Sequence, residues 1–266
     1  MSPVRLEVEE AGDGPPIVLA HGLTATRRYV VHGSKLLQRS GYRTIGYDAR
    51  GHGDSDPAPD ARAYEYEDLV GDLERVLDDR LVDRATLVGV SMGAATALVY
   101  ALRHPERVRA LVQVTPAHLG LPRENYGTVG WDRLADGLEQ DGVEGFMRAY
   151  GDPPVPDRFR GLVLQAVRQR MERHRHPEAV AAALRVVPRS RPFQGPEALD
   201  EVAVPTLVVA SLDELDPEHP YAVAEEYARR IPHAELVSEE PGSSPLAWRG
   251  AQLSKAILEF LDKRRP

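Results

Sequence analysis

The chain has 266 residues and a formal net charge of −8, from 33 Lys+Arg against 41 Asp+Glu. An acidic balance disfavours nucleic acid, whose phosphates need a basic face, and gives no attraction to an anionic membrane surface. No cysteine is present, which excludes a disulfide scaffold, a Cys nucleophile and a thiolate zinc site.

Hydrophobic residues make up 42% and charged residues 28%, the composition of a globular domain. The opening stretch MSPVRLEVEEAG has no basic start and no apolar run, so no signal peptide is expected. Nor does any segment reach the roughly 18 uninterrupted apolar residues of a membrane span. The expectation is a soluble, cytoplasmic protein that meets a small molecule and neither nucleic acid nor membrane, with a homo-oligomer left open.

Taken in chain order, short β-branched runs alternate with helical patterns, which predicts a mainly parallel, doubly wound α/β sheet covered by helices. Residues 5–9 form a polar, alternating edge strand. Further strands are expected at 17–20, 43–47, 85–90, 108–114, 206–210 and 234–238. Between them, Leu69, Val70, Leu73, Val76 and Leu77 recur at helical spacing, and residues 92–102 are rich in Ala and Leu before Pro105 halts them. A last helix presents Leu253, Ala256, Ile257, Phe260 and Leu261.

The alternation stops between His118 and Gly195, where every apolar pattern is helical: Trp131, Leu134 and Leu138, then Phe159, Leu162 and Val163, then Val180, Ala183 and Leu184. This predicts a core in two parts, 1–117 and 196–266, with a helical cap, 118–195, inserted after the sixth strand. Trp131, Phe146, Met147 and Tyr150 are candidates for an apolar lining beneath it.

The strongest local signal is TLVGVSMGAATALVY, residues 86–100. An apolar strand runs into Gly89-Val90-Ser91-Met92-Gly93, and a small-residue helix follows. That is G-x-S-x-G in its strand–turn–helix setting, with Ser91 as the candidate nucleophile. The free N–H groups at the helix start would face a developing oxyanion. IVLAHGL, residues 17–23, ends a strand in His-Gly and can offer a second N–H, from Leu23, to pair with that of Met92. A glycine-rich turn, Asp48 to Ser55, shapes the rim.

In this order the three segments resemble the α/β-hydrolase superfamily, specifically its capped serine esterase, lipase and haloperoxidase-like branch. The resemblance covers essentially the whole chain. It implies Ser91 as nucleophile, Leu23 and Met92 as oxyanion-hole donors, and an active site at the carboxyl edge of the strands. It further implies an acid after the strand 206–210, where Asp213 matches D-x-x-x-P with Pro217, and Glu214 and Asp216 lie close by. Dehalogenase and epoxide-hydrolase branches carry Asp rather than Ser at the elbow.

The family histidine is missing from its usual loop. The segment PGSSP, residues 241–245, has serine where histidine is expected, and no histidine follows His233. A serine hydroxyl without a positioned base is a weak nucleophile. His118 and His219 are the candidate substitutes. His21 is better suited to orienting backbone, and His174 and His176, two apart on a helix, are not a metal pair. The residues predict an incomplete or relocated triad, in which no imidazole bridges Asp213 and Ser91. The expected function is hydrolysis of carboxylic esters or related small acyl compounds; the alternative is a non-hydrolytic small-molecule-binding protein on the same fold. No metal site and no cofactor are expected, since H-E-x-x-H, P-loop and G-x-G-x-x-G signatures are absent.

Overall fold

The computed structural model describes residues 4–121, 128–212, 219–240, 248 and 250–264. Seven strands form one sheet: β1 (Val8–Ala11), β2 (Pro16–Ala20), β3 (Arg43–Tyr47), β4 (Ala85–Val90), β5 (Val108–Val114), β6 (Thr206–Ala210) and β7 (Glu235–Ser238). Their order is β1-β3-β2-β4-β5-β6-β7. Only β1 runs antiparallel, with Val8 opposite Tyr47 and Ala11 opposite Thr44. Every other pair is parallel.

Eight α-helices accompany them among the described residues: α1 (Leu36–Arg39), α2 (Tyr66–Asp79), α3 (Met92–Arg103), α4 (Thr128–Tyr150), α5 (Asp157–Met171), α6 (Pro177–Val186), α7 (Tyr221–Arg230) and α8 (Ala251–Asp262). Alternate strand residues point to opposite faces, so the central strands are apolar on both sides. Leu87, Leu111 and Val208 pack with Leu73 and Val76 of α2, Leu98 of α3 and Tyr227 of α7. Val88, Val112 and Val209 pack with Leu253, Ile257 and Phe260 of α8. Each such side chain contributes roughly 1.5–3 kcal/mol by leaving water.

Strand β1 begins three residues later than expected. Residues 5–7 spend their polar groups on the glycine-rich turn instead: Asp56 N–H donates to Arg5 O at 3.0 Å, and Asp48 N–H donates to Glu7 O at 2.9 Å. Glu7 N–H donates to Ser55 Oγ at 2.8 Å, and the Arg5 guanidinium donates to Asp54 O at 2.7 Å.

Helices α4–α6 lie between β5 and β6, and among the described residues no strand interrupts them. Five strands, β1 to β5, precede this helical segment, so it follows the fifth described strand rather than the sixth. Helix α4 breaks at Asp141 and Gly142, where Gly142 has φ 55°. Ala179, Ala183 and Val187 seat the segment on Tyr64, Leu69 and Met92 of the layer below. No helix among the described residues is long and apolar enough to cross a membrane.

Candidate functional site

Ser91 stands between the last residue of β4 and the first of α3, with φ 50° and ψ −107°. Positive φ in a non-glycine residue costs of order 1–3 kcal/mol and persists only where the surroundings enforce it. Here Ser91 N–H is held by Val114 O of the neighbouring strand at 3.0 Å, and Ser91 O accepts from Ala95 N–H at 3.1 Å. The flanking glycines are needed for close approach. A Cβ on Gly89 would lie 2.2 Å from Gly93 O, and one on Gly93 would lie 2.2 Å from Ala20 O.

The segment after β2 passes beside the elbow. A Cβ on Gly22 would sit 3.5 Å from Ser91 Cβ, so Leu23 enters the neighbourhood of the serine at once. Leu23, Met92 and Ser91 line one cavity. Met92 is the first residue of α3, so its N–H is among those a helix leaves without an internal acceptor. His21 orients this backbone, as the sequence predicts. Its Nδ1–H donates to Gly22 O at 2.8 Å, while Nε2 accepts from Ala49 N–H at 2.9 Å. Burial, and next the nearby His52, push the His21 pKa down to about 3, which keeps the ring neutral.

Of the two candidate substitutes for the missing histidine, one reaches Ser91. His219 Nε2 lies 2.7 Å from Ser91 Oγ. His219 follows β6 and stands just ahead of α7, at the carboxyl edge of the sheet, so a loop two strands away from β4 supplies the ring. The sequence carried the signal in the placement of His219 shortly after Pro217. It lacked any means of closing a loop onto a strand end 128 residues distant. His118, the other candidate, lines the same cavity, and its Nδ1 accepts from Gly120 N–H at 2.7 Å.

Asp213, with Glu214 and Asp216, lies outside the described residues, as do Ser243 and Ser244. A carboxylate that the sequence reasoning missed stands at the start of that segment. Glu239, directly after β7 and only 8% exposed, accepts from Ser211 Oγ and from Leu212 N–H, both at 2.8 Å. It anchors the backbone immediately before Asp213.

The cavity measures about 1200 Å³ and is walled mainly by apolar groups. Trp131 and Tyr150 line it as expected, joined by Val155, Leu162 and Val163 from the helical segment. Phe146 does not: it is 1% exposed, inside the core of the helical segment with Ala135 and Val180. Met147 is absent from the lining too and packs at the edge of that same core. His174 and His176 lie in the turn between α5 and α6, not on a helix, because Pro177 starts a new helix there. His32 likewise sits in a turn, with φ 45°, where it meets the cavity. No cluster of metal-binding side chains occurs among the described residues.

Comparison with known proteins agrees with this architecture. The sequence profile of the family described as alpha/beta hydrolase fold matches residues 15–248. Epoxide hydrolase 2 of Siraitia grosvenorii is 36% identical over 112 residues, which is 42% of this chain and 35% of that protein. The chain thus aligns with well under two thirds of the length of such relatives. Among solved structures, the enol-lactonase from Burkholderia xenovorans LB400 superposes with a TM-score of 0.76 at 24% identity, covering 97% of each chain. A thermophilic esterase from Thermogutta terrifontis gives 0.75 at 24% identity, covering 98% of this chain and 94% of its own.

Proposed function

The chain belongs to the α/β-hydrolase fold family, and from that premise we propose that it is a serine hydrolase of carboxylic esters or related small acyl compounds. The observation that carries this reading is the 2.7 Å contact between His219 Nε2 and Ser91 Oγ at a positive-φ elbow facing a large apolar cavity. In it, Ser91 Oγ attacks the acyl carbon while His219 Nε2 takes its proton. The Leu23 and Met92 N–H groups receive the negative charge that develops on the carbonyl oxygen. The C–O bond to the alcohol breaks, and His219 returns the proton to the departing oxygen. Water, deprotonated by the same ring, then releases the acid and restores Ser91. Asp213, on the segment that precedes His219, is assigned to orient the imidazole, and helices α4–α6 act as a cap that holds the apolar part of the substrate.

Two features favour acyl transfer over the alternatives. An elbow serine with a partner imidazole is the arrangement of a covalent acyl intermediate, and the purely binding role leaves that contact without a purpose. Similarity to epoxide hydrolases concerns the fold, whereas their elbow carboxylate is replaced here by a hydroxyl. The test is labelling with a fluorophosphonate probe and turnover of nitrophenyl esters. Wild type should label and turn over, and Ser91→Ala should do neither. Labelling that survives in Ser91→Ala would defeat the assignment.

A further inference from the structure

His174 belongs to the helical segment, yet both of its ring nitrogens are committed to the sheet layer. Gly53 N–H donates to Nδ1 at 2.9 Å, so the proton sits on Nε2, which donates to Thr24 O at 3.0 Å. The adjacent Arg175 N–H donates to Gly53 O at 2.9 Å, so this turn is joined to Gly53 in both directions. The ring is 8% exposed and stands edge-on to His52 at 5.5 Å, and His52 in turn lies 5.2 Å from His21.

Thr24 is an unusual residue to hold. It is β-branched, with φ 63°, a region such residues occupy only under constraint. Two peptides earlier, Gly22 O accepts from both His21 Nδ1–H and Ala25 N–H, at 2.8 and 3.0 Å. A trans peptide points its N–H opposite its C=O, so fixing Gly22 O aims the Leu23 N–H the other way. The two histidines therefore hold the carbonyls of Gly22 and Thr24, the residues on either side of Leu23.

We propose that His174 is a positioning residue for the oxyanion-binding segment: by holding Thr24 in its strained conformation it keeps the Ala25 N–H on Gly22 O, steadies the direction of the Leu23 N–H on the far side of that peptide, and makes that direction depend on the seating of helices α5 and α6. The proposal rests on the serine-hydrolase reading for its catalytic consequence and on hydrogen bonds alone for its structural one. Binding under the helical segment is thereby tied to the donor geometry at Ser91, although His174 touches neither the substrate nor the reacting atoms.

A pair of variants separates this role from simple packing. His174→Gln can place an amide N–H where Nε2 was and keep the Thr24 bond. His174→Asn can place its carbonyl where Nδ1 was and keep only the Gly53 bond. In nitrophenyl ester turnover, His174→Asn should lower kcat by roughly tenfold or more, with KM changed less than about twofold, because a misaimed oxyanion donor acts on the transition state. His174→Gln should recover most of that loss. Amide hydrogen exchange across residues 22–25 should quicken in His174→Asn and less in His174→Gln. Equal kcat in the two variants, or losses that follow only their melting temperatures, would overturn the proposal. Absence of turnover and labelling in the wild type would overturn the hydrolase reading and the catalytic consequence together. The exchange comparison would then still decide whether His174 holds Thr24.

Discussion

The Arg50 guanidinium forks onto the Asp72 carboxylate of α2, with Nε donating at 2.7 Å and Nη2 at 2.9 Å. Asp72 is 1% exposed, and Arg50 also donates to Ala63 O and Asp68 O. The fork pins the glycine-rich turn, and with it the Gly53 peptide, to the helix beside it. Asp72→Ala removes the fork and leaves the largely buried guanidinium only the partly exposed Asp68 carboxylate, at 3.0 Å, and should cost about 1–3 kcal/mol. Urea unfolding monitored by circular dichroism checks this, and a loss below about 1 kcal/mol would show that the pair is dispensable.

Turnover should separate the histidines at the cavity. Removing a general base costs about 10²–10⁴-fold, so His219→Ala should fall by that much in kcat, while His118→Ala, whose Nδ1 serves Gly120, should stay within about tenfold of wild type. A large loss in His118→Ala with little in His219→Ala would reverse the assignment of the base.

Acid should weaken the fold before the carboxylates titrate. Burial, and next the nearby His52, lower the pKa of His21 and of His174 to about 3, and burial lowers that of His52. Between the unfolded value near 6.5 and the folded value, the unfolded chain takes up protons that the native rings refuse, so stability falls as pH falls. The limiting slope is about 1.4 kcal/mol per pH unit for each such ring. Urea midpoints at pH 7 and pH 5 should differ clearly in wild type and by less in His174→Gln. Identical differences would place the protonation elsewhere.

Two glycines should respond in opposite directions. Gly71 lies on the exposed side of α2 with open space at its Cβ position, and Gly71→Ala should stabilise by roughly 0.5–1 kcal/mol. Gly93→Ala would drive a methyl group to 2.2 Å from Ala20 O and should yield little soluble protein. Thermal melts of both, with Gly93→Ala folding normally as the adverse result, check the elbow packing.

Much of this arrangement is legible in the residues alone. The strands at 43–47, 85–90, 108–114 and 206–210 fall where β-branched runs place them, because burial selects β-branched and apolar residues at most of their positions. The elbow is legible too, since Gly89 and Gly93 are demanded by contacts within a short stretch. The partner of Ser91 is not. His219 sits in an irregular connection with no periodicity, and only the folded sheet brings the ends of β4 and β6 to one edge. The trio of His21, His52 and His174 is hidden for the same reason: three connections far apart in sequence meet, and nothing local marks any of them.

The order of the strands has a consequence for how the sheet can breathe. Ser91 leaves β4 and the candidate oxyanion backbone follows β2, both in the middle of the sheet, while His219 follows β6, one strand in from the edge. Strand β7 is four residues long, only half-buried, and paired on one side alone. Fraying at such a margin is among the low-cost openings of a sheet. Glu239 follows β7 directly and accepts from Ser211 Oγ and Leu212 N–H, so a transient loss of the β7 ladder would reach the connection from β6 that leads to His219. Loosening of the outer margin would then be felt at the proposed proton acceptor, while Ser91 and Leu23 stand just past the ends of inner strands.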